Sequence, residues 1–427
     1  MKKVSLRAYA AILVAVAILV GLVTYVGRFF SDGEDWALFF NGSKASLTVT
    51  DRNGVLLAKR ETAGKYYAED AGIRTACYQL IGDYQGNVGT GVLQSAGKLT
   101  MKYNAFFGVE DVPSKELSLS IDSELNRAAY AALGGRKGAV LVCNYKTSEL
   151  LCMVSSPSID PLDPPEELPD GAYLNRCISS TFVPGSIFKI VTLTAAIENI
   201  PDLYDRTFTC RGYSVVDGSR LGCSGIHGEQ NIEKAFSNSC NCAFAELALE
   251  LGPEIMKEYA EKLGITEAHS LDGAYTAAGS YDPDVSGSAG LAWSGIGQHR
   301  DLVCPYSMLR IVSAIGNGGT LYEPSLFGST EEGVSLIAPG TAQKLAAMMS
   351  YNVADHYGRD RFPGLDIAAK TGTAELGNGE ADNAWFVGFL NDEAHPYAFV
   401  VLVENGGYGL TAASPVANEV LQAAILR

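Results

Sequence analysis

The sequence predicts a mixed α/β protein of the α+β type, in which an antiparallel sheet is flanked by helices. Strand-like and helix-like segments follow one another along residues 116–427 without the strand–helix–strand rhythm of a parallel sheet, which favours one antiparallel domain there. A long charge-free run, 8–27, precedes it, and Asn53-Gly54 between two strand-like runs predicts a hairpin. Of the 427 residues, 47% are hydrophobic and 19% charged, which is the composition of a folded protein.

The N-terminal run predicts a membrane anchor. A helix over residues 8–27 is long enough to cross the ~30 Å hydrocarbon core of a bilayer. Lys2, Lys3 and Arg7 precede the run, so the positive-inside rule places residues 1–7 in the cytoplasm and the rest of the chain outside the cell membrane. A cleaved signal peptide is the alternative, but the run is longer than a usual signal core and no cleavage site follows it. We therefore expect a single-pass protein in contact with the lipid bilayer through 8–27.

The elements after the anchor are predicted from periodicity, turns and caps. Residues 28–115 form a small β-rich module that ends near Pro113. Asp122 caps a helix over 123–133, and Gly134 ends it. The other predicted elements are a hairpin at 139–143 and 150–155, helices near 187–199, 231–250, 253–263 and 305–316, strands near 366–374, 384–390 and 398–404, and a last helix near 413–426.

Charge and cysteine content narrow the function. The net charge is −16, which argues against a nucleic-acid partner, because phosphate binding needs a positive surface. The nine cysteines contain no paired Cys-x-x-Cys pattern and the five histidines are scattered, so no metal site and no cofactor are predicted. Cys210 and Cys223 flank a glycine-rich loop, and they could form a disulfide outside the cytoplasm.

The first candidate catalytic pair is Ser186 and Lys189. The Pro-Gly turn at 184–185 precedes an apolar helix, which places Ser186 in its first turn and Lys189 three residues on, along the same face. A serine needs a base to become a nucleophile, and a lysine serves if burial lowers its pKa. The alternative is a helix-capping serine followed by a surface lysine, and the same spacing recurs at Ser95 in a loop-like context.

The second candidate group is Ser239 and Asn241. A hydroxyl and a carboxamide close together in a short loop before a helix can relay a proton and bind a peptide amide. Such residues are also ordinary at helix N-termini, and the pattern recurs at Ser350 and Asn352.

The third group is Lys370, Thr371, Gly372 and Thr373 on a predicted strand. Lys370 supplies positive potential for a carboxylate, and the two threonine hydroxyls can donate hydrogen bonds to it. Gly372 lets a substrate backbone approach closely. A plain strand-end turn is the alternative, although Lys-Thr-Gly occurs only once in the sequence.

Together and in this order, the three motifs resemble the active site of the penicillin-binding proteins and serine β-lactamases. Gly295–Gln298 and Ala384–Phe389 are similar to further segments of penicillin-binding transpeptidases, and Asp51–Gly54 resembles the start of the extracytoplasmic part of class B members. The resemblance implies a β-lactamase/transpeptidase-like fold with a helical subdomain. Residues 28–115 are too few for the family's glycosyltransferase domain, which implies a class B-like, monofunctional enzyme.

The resemblance also implies an activity, that of a peptidoglycan D,D-transpeptidase. Ser186 would attack the penultimate D-Ala carbonyl of a stem pentapeptide with Lys189 as base, and the terminal D-Ala would leave protonated through Ser239. Asn241 would hold the acyl-chain amide, and backbone N–H groups of Ser186 and Thr373 would bind the oxyanion. The donor carboxylate would be bound by Lys370, Thr371 and Thr373, and Gly372 is a further substrate-binding residue. β-Lactams mimic this donor and would acylate the same serine.

The implied partner is a separate membrane glycan polymerase of the SEDS type, which would supply the strands. Four other functions use the same fold: a D,D-carboxypeptidase and a β-lactamase on the same site, a β-lactam sensor, and a non-catalytic scaffold. A scaffold would be expected to lack a motif residue, whereas all are present here.

Overall fold

The computed structural model describes most of the chain, namely residues 2–41, 46–95, 102–104, 108–110, 114–283, 287–328, 332–375 and 381–427. Pro113, near which the module boundary is predicted, lies outside these residues. Side chains are described from residue 7 to 28 of the N-terminal helix and from residue 115 onward in the segment after the module.

Helix α1 (Lys2–Asn41) contains the predicted anchor and extends beyond it on the C-terminal side. Within it, Arg7–Arg28 has a mean hydropathy of 2.5 and none of its surface is buried against the rest of the protein. This segment is long and apolar enough to cross a membrane.

The N-terminal module is built on a four-stranded sheet in the order β3-β2-β1-β6. Its strands are β1 (Ser46–Thr50), β2 (Leu56–Glu61), β3 (Gly64–Tyr67) and β6 (Ser114–Ser118), accompanied by β4 (Lys102–Asn104), β5 (Gly108–Glu110), α2 (Ala71–Ala76) and α3 (Tyr78–Ile81). The β1–β2 hairpin predicted from Asn53-Gly54 is confirmed, although only Gly54 has a positive φ, of 81°. Since β6 pairs in parallel with β1, the predicted boundary at 115/116 falls inside a strand of this sheet.

Asp51 joins the module to the following domain. One of its carboxylate oxygens accepts the N–H groups of Asn53 (2.9 Å) and Val55 (2.8 Å), which closes the hairpin turn. The other accepts both the N–H and the hydroxyl of Ser123, at 3.1 and 2.7 Å. The buried carboxylate therefore fixes the turn against the first helix of the domain.

The domain is organised around a five-stranded antiparallel sheet in the order β17-β18-β19-β7-β8. Its strands are β7 (Gly138–Asn144), β8 (Leu150–Ser156), β17 (Ile367–Ala374), β18 (Asn383–Leu390) and β19 (Tyr397–Val403). Alternate side chains of β7 enter different apolar clusters: Leu141 packs on one face of the sheet and Val140 on the other. Both faces are thus covered, which explains why these strands read as continuous hydrophobic runs.

The helices form the two outer layers. They are α4 (Ser123–Leu133), α5 (Lys189–Asn199), α6 (Ile232–Ser237), α7 (Asn241–Lys262), α8 (Gly287–Ser294), α9 (Pro305–Gly316), α10 (Pro339–Asn352) and α11 (Gly409–Ala424). Helices α4 and α11 cover one face of the sheet, and α9 covers the other, where α5 to α8 complete the predicted helical subdomain. The remaining strands pair two by two: β9 (Phe208–Cys210) with β12 (Gly228–Gln230), β10 (Tyr213–Val216) with β11 (Ser219–Gly222), β13 (Ser270–Leu271) with β14 (Ala274–Tyr275), and β15 (Thr320–Leu321) with β16 (Val334–Ser335).

The predicted elements are largely confirmed, and the differences are local. The cap at Asp122, whose side chain accepts the N–H of Leu125, and the left-handed Gly134 are both present. The helix predicted over 231–250 is interrupted between α6 and α7, because the chain turns at Ser239, whose φ is 51°. Helix α10 was not predicted, although its buried residues Ala342, Leu345, Met348 and Met349 recur at the three- to four-residue spacing of one helix face.

Candidate active site

Ser186 lies in a short 3₁₀ turn, Gly185–Phe188, that leads directly into α5. Gly185 has a φ of 53°, and a Cβ at this position would collide with the carbonyl of Thr373 at the end of β17. Trp385 on β18 donates its indole N–H to the carbonyl of Val183 at 3.0 Å. The turn that contains Ser186 therefore packs closely against the edge of the sheet, and the Trp385–Val183 hydrogen bond fixes it there.

Lys189 is fully buried directly beneath Ser186. Its Nζ lies 3.0 Å from the Ser186 Oγ, 2.6 Å from the Ser239 carbonyl and 2.7 Å from the Asn241 Oδ1. Burial lowers the pKa of Lys189 to about 8. A neutral amine has two N–H groups and one lone pair. Its N–H groups can donate to the two carbonyl oxygens while the lone pair accepts the proton of Ser186, which is the geometry of a general base.

Ser239 stands between two buried lysines. Its Oγ is 3.1 Å from the Nζ of Lys189 and 3.0 Å from the Nζ of Lys370, which also donates to the Thr371 carbonyl at 3.0 Å. Burial, together with the charge of Lys189, holds the pKa of Lys370 well below its usual range. The left-handed backbone of Ser239 costs energy in a non-glycine residue, and it aims this hydroxyl at both amines. Through its hydroxyl, Ser239 can relay a proton between Lys189 and Lys370.

The acylation rate is expected to follow the protonation of Lys189. Only the neutral amine can take the serine proton, so the rate should fall about tenfold per pH unit below pH 8 and level off above it. Lys370 contacts the Ser239 hydroxyl that Lys189 also contacts, and Cys223, Cys240 and Cys242 influence the pKa of Lys189 through their charge. The apparent pKa therefore belongs to this group as a whole. Stopped-flow acylation with a chromogenic cephalosporin between pH 5.5 and 9.5 measures it.

The control for this pH profile is His356→Gln. His356 also lines the cleft, and burial lowers its pKa from the usual 6.5. The variant should keep the wild-type inflection near pH 8. An inflection below pH 6.5 that disappears in His356→Gln would instead assign the base to the histidine.

Asn241 is the first residue of α7, and both the oxygen and the nitrogen of its side-chain amide form hydrogen bonds. Its Oδ1 accepts from Lys189, and its Nδ2 donates to the carbonyl of Gly222 at 2.9 Å. The second hydrogen of Nδ2 is directed to the cleft that Asn241 lines, where an acyl-chain carbonyl could accept it. Asn241 therefore positions the base in addition to its predicted role toward the substrate.

Some residues of the Lys-Thr-Gly segment line the cleft, and others lie in the protein interior. Thr371 and Thr373 line the cleft on the free edge of β17, whereas Lys370 is fully buried below them. Gly372 has no contact with the cleft, and a Cβ there would lie 2.9 Å from the carbonyl of Pro184 and 3.0 Å from Trp385. Glycine is needed at this position for the strand to pack against the serine turn, and a role toward the substrate stays a prediction.

Tyr357 is a neighbour of Thr371 that no motif indicated. Its hydroxyl accepts the Thr371 N–H at 3.0 Å and lies 3.2 Å from the Thr371 Oγ1. Burial raises the pKa of Tyr357 to about 12, so the phenol stays neutral. The Tyr357 hydroxyl thus pairs with the free edge of β17 at Thr371 and orients the Thr371 hydroxyl.

Tyr357→Phe is expected to weaken this edge without removing any motif residue. The Thr371 N–H loses its partner, which should cost about 1–3 kcal/mol of stability, and the misdirected hydroxyl should lower acylation by carboxylate-bearing β-lactams several-fold. Thermal unfolding and the second-order acylation rate measure the two effects. Tyr351→Phe, an exposed tyrosine that contacts Asp355 nearby, serves as the control and should change neither. Equal behaviour of the two variants would contradict the role of Tyr357.

The motif residues meet in one cleft with a volume of about 750 Å³. Of the eight predicted site residues, Ser186, Ser239, Asn241, Thr371 and Thr373 line it, and Lys189 and Lys370 lie buried beneath. Trp293, Tyr408 and Leu410 add apolar walls, and Glu375 and Asp382 lie along one side. The cleft is large enough for a peptide and has its reactive groups at the floor.

The sequence matches the family of the penicillin binding protein transpeptidase domain over residues 138–422. The chain belongs to the penicillin-binding transpeptidase family. The match covers the whole five-stranded sheet and all the motif residues described above, so the resemblance stated from the motifs is confirmed.

Relatives of this transpeptidase include enzymes of known structure. Peptidoglycan D,D-transpeptidase PbpA of Mycobacterium tuberculosis H37Rv is 29% identical over 370 residues, which is 75% of this chain and 74% of that protein. Stage V sporulation protein D of Bacillus subtilis is 29% identical over 344 residues, 72% of this chain and 53% of that protein. The crystal structure of PbpA from M. tuberculosis superposes with a TM-score of 0.75 at 25% identity, covering 90% of this chain and 100% of that one. The same mycobacterial protein has been solved as a penicillin G acyl-enzyme complex (TM-score 0.73, 25% identity, 90% and 100% coverage). The predicted fold is confirmed.

The transpeptidase also carries features that the sequence did not indicate. All nine cysteines are free thiols, so the possible Cys210–Cys223 disulfide is not formed. Instead the Cys210 Sγ lies 3.5 Å from that of Cys242, and the Cys223 Sγ lies 3.9 Å from that of Cys240. The sequence analysis did not predict this group, because its four cysteines come from three segments that are far apart and unequally spaced in the sequence. The short Cys-x-Cys spacing around Asn241 was the one signal that could have suggested it.

Proposed function

We propose that Ser186 carries the acyl group of a peptidoglycan D,D-transpeptidase reaction that cross-links stem peptides and is inhibited by β-lactams. The observation that carries the proposal is the buried amine of Lys189, whose pKa burial lowers to about 8 and which lies 3.0 Å from the Ser186 Oγ at the floor of a peptide-sized cleft. Membership in the family and the named function of its relatives support the same reaction.

In the acylation step, the Ser186 oxygen attacks the carbonyl carbon of the penultimate D-Ala, and its proton passes to Lys189. Negative charge then develops on the carbonyl oxygen and needs donors. The N–H of Thr371 points away from β18, since it donates to Tyr357. Because strand N–H groups alternate in direction, the N–H of Thr373 points the same way, into the cleft. Together with the N–H of Ser186 it forms the proposed oxyanion hole.

Breakdown of the tetrahedral intermediate requires a proton for the leaving D-Ala nitrogen. Ser239 is in contact with both lysines, so it can donate its proton to this nitrogen and recover one from Lys189 or Lys370. The acyl-enzyme is then attacked by an amine of a neighbouring stem. That amine gives its proton back through Lys189, and Ser186 is restored.

The donor carboxylate is assigned to the free edge of β17. The hydroxyls of Thr371 and Thr373 lie in the cleft and can donate to it directly. Lys370 is buried below these hydroxyls and donates to Ser239 and to the Thr371 carbonyl. Burial lowers its pKa, and in its protonated form it supplies positive potential for the carboxylate. Because the chain is acidic overall, with a net charge of −16, such local cations are needed to attract an anionic donor.

We extend the proposal to the cellular arrangement. Residues 1–7 lie in the cytoplasm, 8–27 cross the membrane, 28–115 form a pedestal and 116–427 act outside the membrane, as the positive charges before the span support. A membrane glycan polymerase of the SEDS type supplies the strands. Fusions of a periplasm-active reporter to each terminus test the topology, and crosslinking in membranes followed by purification tests the partner. Activity of the N-terminal fusion, or no polymerase in the crosslinked complex, would contradict these assignments.

The reaction is tested with the full-length chain in detergent and uncross-linked peptidoglycan strands that carry pentapeptides. Mass spectrometry of the digested product should show D-Ala release together with stem–stem cross-links, and penicillin G should prevent both. Release of D-Ala with tetrapeptides alone would assign a D,D-carboxypeptidase. Rapid turnover of the penicilloyl adduct would assign a β-lactamase.

A further inference from the structure

Four cysteines from three separate segments meet beside the active site. Cys210 ends β9, Cys223 follows β11, and Cys240 and Cys242 lie on either side of Asn241 at the start of α7. Their four Sγ atoms all lie within 4.8 Å of one another. In the part of the chain that the structure describes, this is the one group of three or more histidine, cysteine or acidic side chains gathered closely enough to hold a metal ion.

The sulfur spacing fits a tetrahedral metal site better than disulfides. A metal–sulfur bond of ~2.3 Å in a tetrahedron places the sulfurs about 3.8 Å apart. Two of the sulfur–sulfur separations, 3.5 Å for Cys210–Cys242 and 3.9 Å for Cys223–Cys240, lie on either side of that value. A disulfide requires about 2.05 Å, so each pair would have to approach by well over 1 Å.

The surroundings of the sulfurs also suit thiolates. The Asn241 N–H donates to the Cys223 Sγ at 3.2 Å, and the Gly212 N–H donates to the Cys210 Sγ at 3.4 Å. Such backbone donors typically orient and stabilise metal-bound sulfur. Cys210, Cys240 and Cys242 are buried, whereas Cys223 is partly exposed at the cleft and leaves a path for an ion to enter.

We infer that Cys210, Cys223, Cys240 and Cys242 form a tetrathiolate zinc site. Four sulfur ligands in a tetrahedron select zinc and leave no open coordination position, so the role is structural. Uptake of one Zn²⁺ replaces four thiol protons, which pass to the buffer, and leaves a site of net charge −2.

The zinc site would fix the catalytic loop from beside the cleft, which Cys223 also lines. The strained Ser239 immediately precedes one ligand, and Asn241, which contacts Lys189, lies between two. The same ion would hold the β10–β11 hairpin, whose Gly222 carbonyl accepts from the Asn241 amide. Metal binding would thus position Ser239 and Asn241 without touching the substrate.

The test begins with the zinc content of the full-length chain, purified without oxygen and dialysed against metal-free buffer. Elemental analysis should find about one zinc per chain, and Co²⁺ in its place should give the intense visible bands of tetrahedral thiolate coordination. Cys223→Ser should lower zinc affinity at least about tenfold. The control Cys304→Ala, a buried cysteine outside the group, should keep the metal. Iron in place of zinc, or two disulfides by mass spectrometry and no zinc uptake on titration, would overturn the inference.

A second readout connects the site to the chemistry. Removal of zinc by a chelator should lower both the melting temperature and, by about 10–100-fold, the rate of penicillin acylation, and added zinc should restore both. The acylation effect rests on the proposed function, whereas the zinc content and the Co²⁺ spectrum do not. A zinc-loaded chain that fails to acylate would therefore contradict the proposed function alone. The wild-type Co²⁺ spectrum stays decisive if Cys223→Ser does not fold.

Discussion

Ser186→Ala should abolish covalent labelling by a fluorescent penicillin. Ser186 is the proposed nucleophile, and its Oγ lies 3.0 Å from the Nζ of Lys189 at the floor of the cleft, so its loss removes the oxygen that would open the β-lactam ring into a stable adduct. We expect at least a thousandfold lower second-order labelling rate. Intact-mass and peptide analysis of the wild-type adduct should place the penicilloyl group on the peptide that contains Ser186.

The matched control uses the other Ser-x-x-Lys serine of the chain. Ser95 is buried in the module, where its hydroxyl contacts the carbonyl of Gly91 at 3.3 Å, far in sequence from every motif of the cleft. Ser95→Ala should label like the wild type. If Ser186→Ala labels at the wild-type rate, the assignment of the nucleophile is wrong.

Lys189→Met should have the second largest effect. Methionine keeps most of the buried stem of the lysine but has no amine, so nothing takes the proton of Ser186. General-base catalysis contributes about 10²–10⁴-fold, and we expect the acylation rate to fall by about that factor. The Ser239 carbonyl and the Asn241 Oδ1 also lose a donor, which should reduce stability by a few kcal/mol, as in other cases of buried groups left unpaired.

Acylation kinetics and thermal unfolding of Lys189→Met separate these two effects. The control is Lys262→Met, at a partly exposed lysine paired with Glu198, which should leave both the rate and the pH profile unchanged. If Lys189→Met kept an acylation rate within tenfold of the wild type while remaining folded, another group would have to be the base.

Local chemistry accounts for the parts of the fold that the sequence predicted. Asp122 and Gly134 delimit α4 by hydrogen bonds and a left-handed residue that involve only their own helix. The continuous apolar runs of β7, β18 and β19 reflect burial on both faces of one sheet. The site was predicted because the family motifs are short and keep fixed internal spacing, so they stay recognisable in a single sequence.

The features that escaped prediction depend on residues far apart in the chain. Tyr357 reaches Thr371 only because a π-helical turn, Val353–Tyr357, follows α10 beside the free edge of β17. The second serine–asparagine pattern, at Ser350 and Asn352, shows the same limit: Asn352 donates to the carbonyl of Ala369 behind β17 and has no part in the cleft. The cysteine group likewise needs the β10–β11 hairpin to be folded over the start of α7.

The strand order of the main sheet has a consequence for biogenesis. Hairpin β7–β8, the first part of the main sheet to be synthesised, pairs through β7 with β19, the last strand of that sheet, so that Leu141 lies opposite Val400. Until that late strand has been delivered, the edge of β7 that pairs with β19 has no partner, and closing so long a loop is slow. A partly translocated chain is therefore prone to aggregation. The partly translocated chain would also not react with β-lactams, because β17, the edge strand to which the donor carboxylate is assigned, belongs to the late segment.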